Sequence, residues 1–312
     1  MRQGVNAPLR RRRGLDNRGD ERGIVSLLEH RRPFYRIGYW TLFGVLILLT
    51  LATVFPMYWM ATGGLKSAIA VVQTPPILVP FQPRWQTYLD AWSDLHYVTY
   101  FGNTLILAAG AWVLQLGISA TAAFALSKLQ PAFGNIVLGL FLSTLLVPPV
   151  AYLIPQYLNI DNLPLVHLNL IGSWWGVWLP ESVNAFNLFV LKSFFDSVPN
   201  ELIEAARLDG AGAWRIFVQI MIPLSRSALA VVTIFTVMTS WKDFLWPFLV
   251  LTDPGKEPIM VALYHNFAQQ SFFSLNVEMA ALTIASIPPI ILFMIFQRQI
   301  IRGITLTGLT GM

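Results

Sequence analysis

Apolar runs long enough to cross a bilayer alternate with short polar stretches along most of the chain. Six stand out, at about residues 39–59, 103–125, 136–154, 171–194, 228–251 and 279–301. A helix rising 1.5 Å per residue needs about 20 residues to cross a hydrocarbon core ~30 Å thick, and each run is of that order. Such lengths favour helices over strands, because a helix pairs its own backbone N–H and C=O groups. The pattern predicts an all-α, polytopic membrane protein with six transmembrane helices. The longest connection, about residues 60–102, carries Pro75, Pro76, Pro80 and Pro83, which break helices and favour an extended path, followed by a short surface helix between Trp85 and Trp92. Gly63 and Gly64 mark the end of the first run. Pro148-Pro149 and Pro288-Pro289 predict kinks in the third and sixth runs. No internal repeat and no appended soluble domain is evident. The expected segments are a tail over residues 1–38, a membrane domain over 39–301 and a second tail over 302–312.

Composition agrees. The chain has 312 residues, of which 55% are hydrophobic and 12% charged, with a mean hydropathy of +0.58. Soluble domains carry about 25% charged residues, so a soluble protein is excluded. The basic residues set an orientation. With the N-terminus in the cytoplasm, 17 of the 21 Lys and Arg lie inside, three (Lys66, Arg84 and Lys256) lie outside, and Lys242 falls within a span. That bias places both termini in the cytoplasm. Arg10 to Arg13 read as a positive-inside anchor rather than a nucleic-acid site, and residues 24–35 suit the inner membrane surface. No cleavable signal peptide is expected, because the basic tail is too long and the apolar run behind it too extended. Cys is absent, which excludes disulfide and thiolate chemistry. The His residues at 30, 96, 167 and 265 have no metal-ligand spacing, no catalytic or metal site is expected, and no phosphate-binding GxxxxGK[ST] loop exists.

Polar groups inside apolar runs are costly and should face protein or water. In the fifth run Thr233, Thr236, Ser240 and Asp243 recur every three or four residues, the spacing of one helical stripe. In the fourth, Glu181, Asn184 and Leu188 share a face, with Asn187 beside it. Such amides, hydroxyls and carboxyls can replace water around the hydroxyls of a sugar, so Glu181, Asn184, Asn187, Thr236, Ser240 and Asp243 are candidates for a substrate pathway. The same groups can also join helices by hydrogen bonds. Trp85, Trp92, Trp174, Trp175 and Trp246 stand where interfacial belts place tryptophan.

The most specific motif lies between the fourth and fifth runs. Glu204-Ala205-Ala206-Arg207-Leu208-Asp209-Gly210 is followed, after nine residues, by Ile220-Met221-Ile222-Pro223. Pro199 suits a first helical turn, Glu201 and Glu204 lie near the positive helix start, and Asp209-Gly210 should stop the helix, with Gly free to adopt a positive φ. A second short helix should run from Ala213 to about Met221 and end before Pro223. The segment resembles the EAA loop of ATP-binding-cassette import permeases, with Ile222 in place of the usual Leu. Trp241-Lys242-Asp243-Phe244-Leu245-Trp246-Pro247, Gln297-Arg298 with Gly303, and the ending from Gly303 to Met312 further resemble the carbohydrate-uptake branch of that family, the maltose-permease type with a six-span subunit. Thr310 stands where that ending carries Lys, which puts the tail contact made by that Lys in doubt. The resemblance runs from about residue 39 to the C-terminus.

The resemblance implies a subunit of a bacterial cytoplasmic (inner) membrane importer of sugars. It implies a second permease subunit as partner, a soluble extracytoplasmic substrate-binding protein, and two cytoplasmic ATPase subunits that hold ATP and Mg, with no cofactor in this chain. A hairpin at about residues 197–223 would couple to the ATPases. Glu204, Ala205, Ala206, Asp209 and Gly210 would form the contact, braced by Arg215 and Pro223. Competing readings are a permease of the same superfamily for glycerol phosphate, peptide or an oxyanion, for which Lys242 is the intramembrane basic candidate; a secondary transporter, which commonly shows an inverted repeat; and a membrane-embedded enzyme, which needs convergent catalytic groups. A co-purifying ATPase and vanadate-sensitive uptake separate the first two classes from the others.

Overall fold

The computed structural model describes residues 33–269 and 273–308. The Arg-rich segment before residue 33 and the final residues 309–312, with Thr310, lie outside the described residues. The chain divides into two compact units, Met1–Tyr58 and Trp59–Met312. The first is described as part of helix α1 (Pro33–Gly63), whose side chains from Arg36 to Tyr58 are exposed. An apolar surface of that length suits lipid or another membrane helix.

The second unit contains α2 (Ala68–Val72), α3 (Gln86–Asp94), α4 (Tyr97–Phe124), α5 (Gly134–Ser143), α6 (Pro149–Asp161), α7 (Trp174–Glu181) and α8 (Ala185–Asp196). It continues through α9 (Asn200–Leu208), α10 (Ala213–Ile216), α11 (Ile222–Leu224), α12 (Arg226–Lys242), α13 (Leu245–Val250), α14 (Ile259–Tyr264) and α15 (Leu275–Gly308). Among the described residues the only strand-like feature is an isolated bridge between Leu163 and Leu168.

Helix α4 is the centre of the packing. Thr104, Leu107, Ala108, Ala111, Gln115, Ser119 and Ala123 recur at spacings of three and four and are all buried, so one face of α4 meets α7, α8 and α12. Helix α12 packs on α15 by its other side, and α15 covers α3. Tyr97 donates from its hydroxyl to the Ala281 carbonyl at 2.6 Å.

The six expected spans, with kinks expected in the third and sixth, are not all single helices. Among the described residues three helices are long and apolar enough to cross a membrane: Arg36–Gly63, Tyr97–Leu129 and Leu275–Gln297. The third expected span is bent by 110° between Gly134–Leu146 and Pro149–Asp161. Pro148 is extended and Pro149 opens a new helix, so the proline pair divides the run outright. The fourth expected span is two short helices, α7 and α8. Residues 182–184 separate them, and the Asn184 side chain caps α8 by accepting from the Asn187 N–H at 3.0 Å. The fifth is also divided. Helix α12 ends at Lys242, and Asp243 is extended, with φ −67° and ψ 128°. Pro247 has no N–H to return to the Asp243 carbonyl, which favours the break. Asp243 therefore lies beyond the stripe of Thr233, Thr236 and Ser240, and Lys242 is an exposed residue of the last helical turn.

Pro288-Pro289 acts differently. Helix α15 runs unbroken through the pair and on past residue 301 to Gly308, so the expected start of a separate tail at 302 coincides with no structural boundary. Pro289 leaves the Ala285 carbonyl without its intrahelical donor, and the Trp241 Nε1–H donates to that oxygen at 3.3 Å. A freed carbonyl that finds a neighbouring helix is one way a spanning helix tolerates proline. Trp246, read from sequence as a belt residue, is also buried, and its Nε1–H donates to the Gly176 carbonyl at 3.2 Å.

Two outcomes test this packing. A Cβ at Gly176 would lie 2.5 Å from the Leu170 carbonyl oxygen and 2.7 Å from Val250 Cγ1. Gly176→Ala is expected to lower stability by about 1–3 kcal/mol, read as a lower unfolding temperature in detergent. Lys66, just past α1, is buried with its ammonium 4.0 Å from the Trp59 ring centroid and, among the described residues, no hydrogen-bond acceptor. Burial pushes its pKa down, so the unfolded chain holds that proton more tightly. The resulting penalty on folding is full below the folded pKa and fades as pH rises toward the ordinary lysine value. Lys66→Met should raise the unfolding temperature at neutral pH and flatten its rise on the alkaline side.

Candidate functional site

Two features of the second unit are candidates for function: a polar cavity among the divided helices and the hairpin that joins α8 to α12.

The cavity, of about 390 Å³, opens between α4, α6, α7, α8, α12 and α13. All six residues expected on a pathway line it: Glu181, Asn184, Asn187, Thr236, Ser240 and Asp243. They converge although both stripes are broken, because the breaks at residues 182–184 and at Asp243 face each other across the cavity. Glu181 and Asp243 come within hydrogen-bonding reach of one another. Thr233 stays outside the cavity and accepts a hydrogen bond from Trp112 Nε1 at 2.9 Å, a helix-joining contact. Leu188 is buried in an apolar cluster.

Sequence reasoning missed Gln115, Tyr152, Gln156 and Thr239, which line the same space. Gln115 is its central hydrogen-bonding group. Its Nε2 donates to the Glu181 carbonyl at 2.7 Å, and its Oε1 accepts from Asn187 Nδ2 at 2.6 Å and from the Thr236 hydroxyl. Asn187 Nδ2 also donates to Thr236 Oγ1 at 3.1 Å. Three helices and the end of α7 are thus joined by one closed set of bonds. Gln115 is an isolated amide deep in an apolar run, and that was the signal available in the sequence.

The hairpin is built as the motif demands. Pro199 is the residue that enters α9, with φ −56° and ψ 134°. At the other end the Gly210 N–H donates to the Arg207 carbonyl at 3.0 Å, and the Ala211 N–H to the Ala206 carbonyl at 2.9 Å. That pair of bonds is a Schellman motif, with Gly210 at φ +78° in the left-handed position. Ala206 and Ala211 both pack on the cluster beneath, giving the apolar contact that accompanies the motif. The second helical stretch runs one turn further than expected, through Pro223 to Leu224. It accommodates Pro223 by widening into a π turn over Phe217–Met221, where the Ile222 N–H reaches the Phe217 carbonyl.

Ile203, Ile216, Phe217 and Met221 are buried with Phe124, Leu191, Phe195 and Val232, so the hairpin is fixed to α4, α8 and α12. Lys128 adds a polar tie, donating to the Val198 carbonyl at 2.7 Å and to Asn200 Oδ1 at 2.8 Å. The opposite face is open. Glu204, Ala205, Asp209 and Gly210 are exposed, as are Leu208 and Trp214, which are 90% and 69% accessible. A Cβ at Gly210 would meet nothing within 4 Å. Arg215 is exposed and donates from Nε to Gln219 Oε1 at 3.0 Å within its own helix, and Pro223 is exposed.

A polar cavity inside an apolar helical shell, with an open-faced hairpin rooted beneath it, defines a membrane transport protein. Residues 115–306 match the family described as binding-protein-dependent transport system inner membrane component. The chain is 30% identical over 267 residues to the sn-glycerol-3-phosphate transport system permease protein UgpE of Yersinia pestis bv. Antiqua, covering 83% of this chain and 93% of that one. It is 28% identical over 264 residues to the diacetylchitobiose uptake system permease protein NgcG of Streptomyces coelicolor, covering 84% and 85%. Its fold matches a chain in a crystal structure of a bacterial ABC transporter involved in the import of the acidic polysaccharide alginate, with a TM-score of 0.76 at 24% identity over 86% of this chain and 98% of that one. The chain belongs to the binding-protein-dependent transport system inner membrane component family, and is a permease subunit of such an importer.

Asn187→Ala removes two donors from the buried set and leaves partners underbonded. The expected loss is about 1–3 kcal/mol of stability, read as a lower unfolding temperature of the purified protein.

Proposed function

We propose that this chain forms one half of the passage of an ATP-driven importer for a saccharide or closely related solute. The observation that carries this reading is the convergence of Glu181, Asn184, Asn187, Thr236, Ser240 and Asp243 on one cavity, whose helices α8 and α12 are the two that the hairpin joins. Amides, hydroxyls and carboxyls in that space exchange hydrogen bonds with cargo hydroxyls. A second permease subunit closes the passage from the other side, and a soluble binding protein delivers cargo at the outer face. The curated relatives act on diacetylchitobiose and on sn-glycerol-3-phosphate, which puts small hydroxylated solutes in range.

The hairpin lies in the cytoplasm with both termini, as the basic-residue bias requires. The open face of α9 and its Gly210 turn enters a cleft on one of two ATPase subunits, which carry the ATP and Mg. Glu204, Ala205, Ala206, Asp209 and Gly210 are the contact, and small side chains there let the partner surface approach closely. Coupling requires the ATPase to bind two conformations of the hairpin with different free energy. A hairpin welded into a buried apolar cluster passes that bias to α4, α8 and α12 as a rigid body. Closure of the ATPases moves the hairpins together and opens the cavity outward, and hydrolysis resets it inward.

Gly210→Val tests the arrangement. Valine in the left-handed region costs about 1–3 kcal/mol locally and adds bulk to the contact face. The expected result is at least a tenfold loss of ATP-dependent uptake in proteoliposomes and weaker retention of the ATPase on purification, with membrane insertion unchanged. Undiminished uptake by that variant rules out the coupling role.

A further inference from the structure

We infer that the cargo recognised by this half of the passage carries no net negative charge, and is a neutral or amino-bearing saccharide. This rests on the proposed function, since it takes the cavity as the passage.

Among the described residues, no lysine, arginine or histidine lines the cavity. Lys242, the nearest basic residue in sequence, is exposed on α12 and is not part of the wall. A phosphate or carboxylate entering this space gives up water and meets no counter-charge, which is costly in an apolar shell. It meets instead the carboxyl groups of Glu181 and Asp243, neither of which can carry the positive charge that would offset an anion's lost hydration.

Helix starts are the other common source of anion binding, and α6, α8 and α13 all begin at the wall. Each has lost donors to the protein itself. Helix α6 opens on Pro149, which has no N–H. The Asn184 side chain occupies the start of α8 through its bond from the Asn187 N–H. The Asp243 carboxyl lies at the start of α13, within reach of the Phe244 and Trp246 N–H groups.

The remaining lining suits a sugar ring. Phe186 and Phe235 meet edge to face with centroids 5.4 Å apart at one side of the cavity, and such apolar faces pack against the C–H surface of a pyranose. The carboxyls accept from hydroxyls or from an ammonium group.

The test uses the complete transporter in detergent with the binding protein withheld, so that its own selectivity does not intervene. Equal-length glucan, glucosamine and uronate oligosaccharides, and glycerol 3-phosphate, are compared by equilibrium dialysis. The glucan and glucosamine oligomers should bind at least tenfold more tightly than either anion. Thr239→Lys, at an exposed wall position, should raise uronate binding severalfold and lower glucosamine binding, with ATPase retention as the check on assembly. Anion binding within about twofold of the glucan, or binding by no probe, overturns the inference. ATP-dependent uptake by Asp243→Ala and Asn187→Ala separates the two levels. If both carry every probe like the parent, the cavity is not the passage and the proposed function fails. If both lose uptake while the unsubstituted transporter binds the anions as tightly as the glucan, only the charge inference fails.

Discussion

A polar group inside an apolar shell is costly unless it finds a partner within the protein or faces water, and the helices around the cavity are organised by that constraint. The closed set around Gln115 satisfies amides and a hydroxyl from three helices at once. Half-satisfied, the same groups would cost more than an apolar core. The Ala285 carbonyl, left without a donor by Pro289, takes one from Trp241. Asn184 supplies the cap that the break before α8 requires. At these two places an interruption of the helical bonding is tolerated because a side chain supplies the missing bond.

Those interruptions are also what make room for chemistry. Uninterrupted spans would bury Glu181 and Asp243 against helix surfaces. Division of the fourth and fifth runs turns both residues toward a common space, and the bend at Pro148-Pro149 brings α6 to its wall. Irregular backbone deep in an apolar protein is expected only where it lines a cavity or is buried in protein, and here it lines one.

The cavity and the hairpin are mechanically continuous. Helix α8 carries Asn187 at one end and Leu191 and Phe195 at the other. Helix α12 carries Thr236 and Ser240 above Val232 and Ala228. The lower residues of both belong to the apolar cluster that holds Ile203, Ile216 and Met221 of the hairpin. A displacement of the hairpin therefore has a packed path to the cavity, with no flexible linker between them.

The helical class, the membrane setting, the family and the local form of the hairpin were legible in the sequence. They depend on interactions a few residues apart: apolar run length, a proline at a helix entrance, and a glycine for a left-handed turn at Gly210. The six cavity residues were legible as polar positions in apolar runs, though not as neighbours. Where the helices divide, which side of Asp243 faces inward, and the central place of Gln115 came only from the tertiary structure. These depend on bonds such as Gln115 to Asn187, made between residues 72 positions apart, and no local period encodes a partner at that distance.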